Sequence, residues 1–386
     1  VILLNSIFAA LAFLSLAICL WQYTAARKYP LHQRMADPAF APAVSILKPL
    51  KGCDATTAES LQSWFNQTYP GPVQILFGVA NADDPVCAVV RELIQKNPKV
   101  DAQLNICGKS PGTNAKVSTL IQLEKMARYD LILASDADVR VPADFLGSVV
   151  APLRAPEIAL VNCFYRLANP VNLAMQWEAI QVNADFWSGV LQAQTLNPID
   201  FAQGASVLVR RKSLEAIGGY RAFANSLADD YQIGNRVVKN GGKIAMCPVV
   251  VECWDSPMGW GGVWKHQLRW ARTIRVCMPL PYFFSILSNG TLWPLLWLIV
   301  ALVTAKTLCV PLTAIALILV RIVLAQKLQR LFAQSSGKIA PFWLVPVKDV
   351  LQTVIWAAAF CGNKIEWRGQ KMRLRRNGDL EAIAGN

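Results

Sequence analysis

At 386 residues the chain exceeds one average domain and has room for one large α/β domain with appendages. Apolar residues make up 54% and charged residues 16%, below the ~25% usual in soluble proteins, and mean hydropathy is +0.33, so disorder, collagen and an ordinary cytosolic enzyme are all disfavoured. The net charge is +13, of which +7 falls from Arg321 onward, beside apolar segments; this reads as attraction to anionic lipid, and no nucleic-acid partner is expected.

In chain order, residues 1 to 23 carry no charge and as a helix would span ~33 Å, enough for a ~30 Å hydrocarbon core. The run is too long for a signal peptide and has no basic region before it, which favours an anchor. Trp21 and Tyr23 fit an interfacial belt, and Arg27, Lys28 and Arg34 place the following chain in the cytoplasm by the positive-inside rule.

Strand and helix then alternate. Buried-strand runs are expected at 44–47, 73–79, 103–107 and 131–134. Helices are expected after a capping box formed by Thr56 and Glu59, from Pro85 to Lys96, and from Lys116 to Ala127. Such alternation implies a mostly parallel, Rossmann-like sheet that binds ligands at the carboxyl ends of its strands. Further strands are expected at 160–164, 206–210 and 244–251. Beyond residue 280 come apolar blocks at 292–303 and 308–323, split by Lys306 and Pro311, each short for a full span. Two crossings there would leave Arg321, Lys327, Arg330 and Lys338 in the cytoplasm. A third block, 341–361, is interrupted by Lys348 and Asp349 and reads as re-entrant or interfacial. The expected division is an N-terminal transmembrane helix at 1–25, a cytosolic catalytic domain at 40–280, interfacial and transmembrane segments at 281–363, and a basic cytosolic tail at 364–386.

The ten Cys form no Cys-x-x-Cys pair and there are two His, so zinc and redox motifs fail on spacing and the thiols read as reduced and buried. Asp136-Ala137-Asp138 follows the 131–134 strand, and two hard oxygen donors there suit Mg²⁺ or Mn²⁺ on a nucleotide diphosphate; a solvated acidic turn is the plain alternative. Asp83-Asp84-Pro85 ends the second strand, with Asp83 the stronger candidate for a helix cap and Asp84 for a base or ribose contact. Asp229-Asp230 opens a helix, one as cap and the other projecting; repulsion within the pair raises one pKa and suits a general base. Residues 112–116 form a small polar loop that brings Lys116 near phosphates, although a plain loop explains it as well. His266, Arg269 and Arg272 share one helical face with Trp270 beside them. Arg269 suits a departing diphosphate, and an interfacial helix is the alternative. That helix, 259–276, runs into the aromatic stretch Pro279 to Phe284, suited to the bilayer interface.

The stretches Ile46-Leu47-Lys48-Pro49-Leu50-Lys51-Gly52, Asp83-Asp84-Pro85, Asp136-Ala137-Asp138, Ala228-Asp229-Asp230-Tyr231 and Arg269-Trp270, in this order, resemble processive-type family 2 glycosyltransferases and most closely the family 21 ceramide glucosyltransferases. The resemblance covers residues 42 to 285 and implies a GT-A fold. It implies that Asp84 binds the uridine end of a UDP-sugar and that Asp136 and Asp138 bind the metal diphosphate. It further implies that Asp230 is the base and that Arg269 and Trp270 close on the diphosphate; the 112–116 loop adds Lys116 to the donor-binding candidates on its own residues. The implied partners are a UDP-sugar, a divalent cation (Mn²⁺ or Mg²⁺), a membrane lipid acceptor and the bilayer, a bacterial inner membrane in the first instance. Two features depart from the D, D, D, (Q/R)xxRW pattern. His266 stands at the Gln/Arg position, and the second site is a full Asp-x-Asp where animal-type enzymes resemble Asp-Ser-Gly. Both features are similar to the hopanoid N-acetylglucosaminyltransferases, which compete for the acceptor assignment. A reading of another class is a non-catalytic membrane protein that binds lipid or sugar nucleotide, its acidic pairs serving as caps and turns.

Overall fold

The computed structural model describes residues 2–35, 37–304, 307–333, 339–367 and 370–383. The chain divides into two compact units: a sheet unit of Pro30–Asn169, Pro198–Ser256 and Gly378–Asn386, and a helical unit of Val1–Tyr29, Pro170–Asn197 and Pro257–Asn377. Residues 170–197 and 257–280, which the sequence groups with the catalytic domain, cluster with the apolar helices.

The sheet unit is built on eight strands: β1 Val44–Leu50, β2 Val73–Val79, β3 Asp101–Ile106, β4 Leu131–Ser135, β5 Val139–Arg140, β6 Ile158–Leu167, β7 Ser206–Arg210 and β8 Lys243–Cys253. Their order is β3-β2-β1-β4-β7-β6-β8-β5. The first four are parallel, β7 runs antiparallel to β4 and β6, and β6 and β8 are parallel. β1 is buried along its whole length, as a central parallel strand covered on both faces must be. Apolar side chains of the helix Ala115–Glu124 (Val117, Leu120, Ile121 and Leu123) pack with Leu47, Leu76 and Ile132 from three neighbouring strands. At about 1.5–3 kcal/mol per buried aliphatic side chain, this layer fixes where the loops at the carboxyl ends of β1, β2 and β4 emerge.

The capping box is not formed. The helix Thr57–Phe65 is present, but Thr56 makes no side-chain cap bond. Asp54 instead accepts from the Thr56 N–H (2.8 Å) and from the hydroxyls of Thr56 and Thr57 (2.8 and 2.9 Å), and Glu59 pairs with Arg140 (2.6 Å). An Asp two residues upstream satisfies the loop, so the Thr has no cap role left.

Among the described residues of the helical unit, two helices are long and apolar enough to cross a membrane, Leu3–Lys28 and Cys309–Ala333. A third candidate is the pair Pro279–Ser288 and Leu292–Thr304, bent by 46°. The chain is a membrane protein on this ground. The expected short block at 308–323 is corrected to a 25-residue helix. Pro311 lies in its first turn, where no intrahelical N–H bond is required of it. Lys306 and Lys338 lie outside the described residues. Arg321, expected beyond a crossing, lies inside an apolar helix. It is buried within the Cys309–Ala333 helix, with Nε 2.9 Å from Asp349 Oδ2 and Nη2 2.9 Å from both oxygens of Asp185. Lys348 joins the network at Asp349 Oδ1 (2.8 Å) and at Asp185, and the Thr291 hydroxyl donates to Asp349 (2.6 Å). The charges that interrupt the third block are thus paired inside the unit, on the helix Leu344–Phe360. The basic tail is not a plain extension, because Lys364–Trp367 and Gln370–Leu374 form an antiparallel hairpin. All ten Cys are free; six are buried, whereas Cys53, Cys309 and Cys361 are exposed, against the expectation of burial.

Candidate active site

Four carboxylates and two lysines meet where β1 and β4 end and the helix Asp229–Lys239 begins. β4 delivers Ser135 and then Asp136, whose N–H donates to Ala205 O (3.2 Å) while the Ser135 hydroxyl donates to the same carbonyl (3.0 Å). The 202–205 segment, just before β7, is thereby tied to the Asp-x-Asp turn. From the other side, the helix Asp229–Lys239 packs directly on it. A Cβ on Gly234 would stand 2.2 Å from Ala202 N, so only glycine permits this approach. The result is that Asp136 and Asp230 flank Gly204: a Cβ built there would lie 2.9 Å from Asp230 Oδ2 and 3.8 Å from Asp136 Oδ2.

Lys116 sits between the acids. Its Nζ is 2.8 Å from Asp136 Oδ1 and 3.5 Å from Asp229 Oδ2. Asn114, fully buried, caps the helix by accepting from Val117 N–H (3.1 Å) and so sets the direction of the Lys116 side chain. The sequence places Lys116 on phosphate; the structure places its ammonium on carboxylates.

Burial and the neighbouring Asp229 push the Asp230 carboxyl up to about 7. Burial, Asp255 and Asp136 push Asp138 up to about 7 as well. Beneath them lies Lys48, a residue the site assignment from sequence leaves out. It is fully buried on β1, donates to Ser135 Oγ (3.3 Å) and to the Asp136 carbonyl, and stands 4.6 Å from the centre of the Trp64 ring. Burial pulls its ammonium down to about 7. Its sequence signal is a lysine in the middle of an apolar strand. Gly204 carries no signal in the sequence, and Asp229, which the sequence offers only as one of a cap-and-base pair, is a partner of Lys116.

Asp84 takes the capping role expected of its neighbour Asp83. Asp84, not Asp83, caps the following helix, accepting from Val86 N–H (3.0 Å), and both its oxygens accept from Gly52 N–H (3.1 and 3.0 Å). Asp83 is exposed. Asp84 therefore ties the end of β2 to the loop after β1 and takes no part in the Lys116 ion pairs.

Asp136 and Asp138 suit a divalent cation. Two carboxylates are too few for a complete protein-built shell, and among the described residues no three His, Cys, Asp or Glu side chains form one. That donor set matches a cation that completes its shell on substrate phosphates, and the burial and the repulsion from Asp255 and Asp136 that raise Asp138 are what such a charge would relieve.

Arg269 and Trp270 lie on the helix Trp260–Cys277 of the helical unit, both half-buried. His266 packs on Trp270 with ring centroids 4.4 Å apart, and its Nδ1 is 2.6 Å from Glu178 Oε1. Glu178, buried on the helix Leu173–Ile180, accepts a hydrogen bond from Gln267 Nε2 (3.0 Å).

A mostly parallel sheet with acidic turns at its strand ends defines the class: this is a GT-A-like glycosyltransferase fold. A mannosyltransferase of Pyrobaculum calidifontis, solved with GDP-Man and Mn²⁺, shares the fold with a TM-score of 0.58 at 19% identity, over 92% of this chain and 99% of that one. The chain belongs to glycosyl transferase family 21, which it matches over residues 6–380. Ceramide glucosyltransferase 3 of Caenorhabditis elegans is 28% identical over 262 residues, 67% of this chain and 56% of the relative. Ceramide glucosyltransferase 1 of the same organism is 26% identical over 219 residues, 56% of this chain and 47% of the relative. The chain thus spans about half the length of these curated relatives.

Proposed function

We propose that the chain is an inverting glycosyltransferase that moves a hexose from a UDP-sugar to the hydroxyl of a membrane lipid, with UDP-glucose as donor and ceramide as acceptor. The observation that carries the reading is that Asp136 and Asp230 flank Gly204, with Lys116 paired to Asp136, in a family 21 chain. Asp230 takes the proton of the acceptor hydroxyl as its oxygen attacks the anomeric carbon and the bond to UDP breaks; a carboxyl held near 7 is suited to that transfer at neutral pH. Lys116 holds Asp136 in place, and Arg269 and Trp270 are assigned to the departing diphosphate. Asp84 is assigned to the uridine end. A divalent cation on Asp136 and Asp138 would supply neutralisation of the diphosphate charge.

The acceptor argument rests on the membrane helices. The helix Pro279–Phe284 leaves Leu280, Phe283 and Phe284 exposed directly after the helix that carries Arg269, as expected at a bilayer interface where a lipid presents its hydroxyl. Arg27 and Lys28 end the first helix, which supports a cytoplasmic catalytic unit in a multi-pass protein.

The test offers ceramide and bacteriohopanetetrol side by side to purified protein with UDP-glucose and UDP-N-acetylglucosamine, and identifies products by mass spectrometry. Glucosylceramide is the expected product. Transfer only to the hopanoid would replace the acceptor, and transfer only to a water-soluble sugar would remove the membrane argument. Activity is expected to vanish in EDTA and return with Mn²⁺ or Mg²⁺, and to vanish in Asp136→Asn and Asp138→Asn. Intact turnover in both variants would overturn the assignment of Asp136 and Asp138 to the cation, whereas no transfer by the parent chain from either donor would leave the non-catalytic reading standing.

A further inference from the structure

The helical unit holds a cleft of about 930 Å³ where the end of the Trp260–Cys277 helix meets the end of the Leu344–Phe360 helix and the 364–374 hairpin. Its cations are Arg272, Arg275, Lys364, Arg373 and Arg376, and no acidic side chain is among its described lining residues. The nearby Glu366 is engaged elsewhere, 2.9 Å from Lys265.

Two of these arginines are held in place yet incompletely satisfied. Arg272 donates to the carbonyls of Cys361 (3.2 Å) and Lys364, and Arg275 donates to Asn363 Oδ1. These bonds lock both guanidinium groups onto the turn before the hairpin. The Nε–H of each is nonetheless buried with no acceptor. A buried N–H without a partner is costly, and two in one cationic cleft mark the place of a missing anion. Burial and the like charge of Arg275 together lower the Arg272 pKa, and no acidic side chain among the described lining residues offsets that charge.

Planar guanidinium groups pair best with phosphate or carboxylate oxygens. The rest of the wall decides which molecule brings the anion. Val276, Pro279 and Phe360 line the apolar side of the cleft. Leu280, Phe283 and Phe284 continue that surface, exposed at 69%, 50% and 56%. A soluble phosphate has no use for such a wall, whereas acyl chains do.

We propose that this cleft binds the phosphate of an anionic phospholipid, separately from the sugar-transfer site. Basic pockets beside apolar helices recognise phospholipid headgroups in this way, and bound lipid would fix the hairpin against the helix that carries Arg269.

The test uses the full chain in neutral detergent, titrated with phosphatidylglycerol or phosphatidylcholine, with bound lipid counted by native mass spectrometry. Phosphatidylglycerol is expected to bind and phosphatidylcholine to bind far less. Arg373→Gln should weaken phosphatidylglycerol about fivefold and Arg373→Gln with Arg376→Gln roughly 25-fold. Lys371→Gln removes the same charge from the same hairpin strand outside the cleft and should change binding by less than about twofold. Melting temperatures of the variants are read alongside, and a loss of binding counts only in a variant that melts with the parent. Arg373→Lys keeps the charge, and its recovery of binding supports the site should Arg373→Gln unfold. Equal weakening by Lys371→Gln would reduce the cleft to general charge attraction and overturn the proposal. Equal binding of phosphatidylcholine, or displacement of phosphatidylglycerol by millimolar inorganic phosphate or UDP, would overturn it as well.

Discussion

Asp229 and Asp230 are neighbours at the start of one helix, yet their carboxylates face different partners. Asp229 lies 3.5 Å from the Lys116 ammonium. Asp230 accepts the Tyr231 N–H with Oδ1 (2.8 Å), and its Oδ2 borders the space above Gly204. Asp230→Asn keeps size and hydrogen bonding but cannot take a proton, so turnover should fall by about 10²–10⁴ with donor binding kept. Asp229→Asn loosens Lys116 and should act mainly on donor KM; if it proves the more damaging change to kcat, the base is misassigned. Gly204→Ala tests the geometry directly. Its Cβ would stand 2.9 Å from Asp230 Oδ2, closer than side chains tolerate, so the carboxylate must move. The expected loss in kcat is about tenfold to a hundredfold at an unchanged melting temperature, because small misplacements of a reacting group are costly. An alanine variant with parental kcat would mean that Asp230 does not work from this position.

At the level of elements, most of the sheet was legible because strands buried on both faces read as largely apolar runs whichever way they pair. β2 and β7 fall on their expected residues, and β4 extends one residue further. β1 was read short because Lys48 looks like the end of a strand. Its burial depends on Ser135 and Trp64, partners 87 and 16 residues away that no local pattern reveals. The acidic turns were legible as motifs, but which Asp caps and which faces the site was not. Sequence favours Asp83 as the cap, and only the bond between Asp84 and Gly52, brought alongside by the fold, shows why Asp84 takes that role. The same limit applies to the Thr57–Phe65 helix. Thr56 and Glu59 have the right spacing for a capping box, but Asp54 supplies the bonds. Asp54→Ala should therefore cost about 1 kcal/mol, as loss of a cap does, and Thr56→Ala clearly less. Thermal unfolding of the two variants decides it, and the reverse order would restore the capping box.

For the whole molecule, the feature least visible in sequence is the buried charge network of the helical unit. Arg321, Lys348 and Asp349 interrupt apolar segments and so read as limits on how the chain crosses a bilayer. Paired with Asp185, 136 residues away from Arg321, they become compatible with burial, since two cations meet two carboxylates. Asp185 lies in the π-helical stretch Gln181–Phe186, the kind of local irregularity that often marks a specialised position. Arg321→Met removes one charge and leaves Asp185 and Asp349 to share Lys348. Breaking a buried pair by deleting one partner costs about 3–5 kcal/mol, because the remaining charge stays desolvated. Arg321→Met with Asp349→Asn restores neutrality while Asn keeps an acceptor for Thr291, so the double variant should melt above the single one. The measurement is the melting temperature of the full chain in neutral detergent. If the double variant melts below Arg321→Met, the network is not held by charge balance, and direct hydrogen bonding at Asp349 is the stronger contribution.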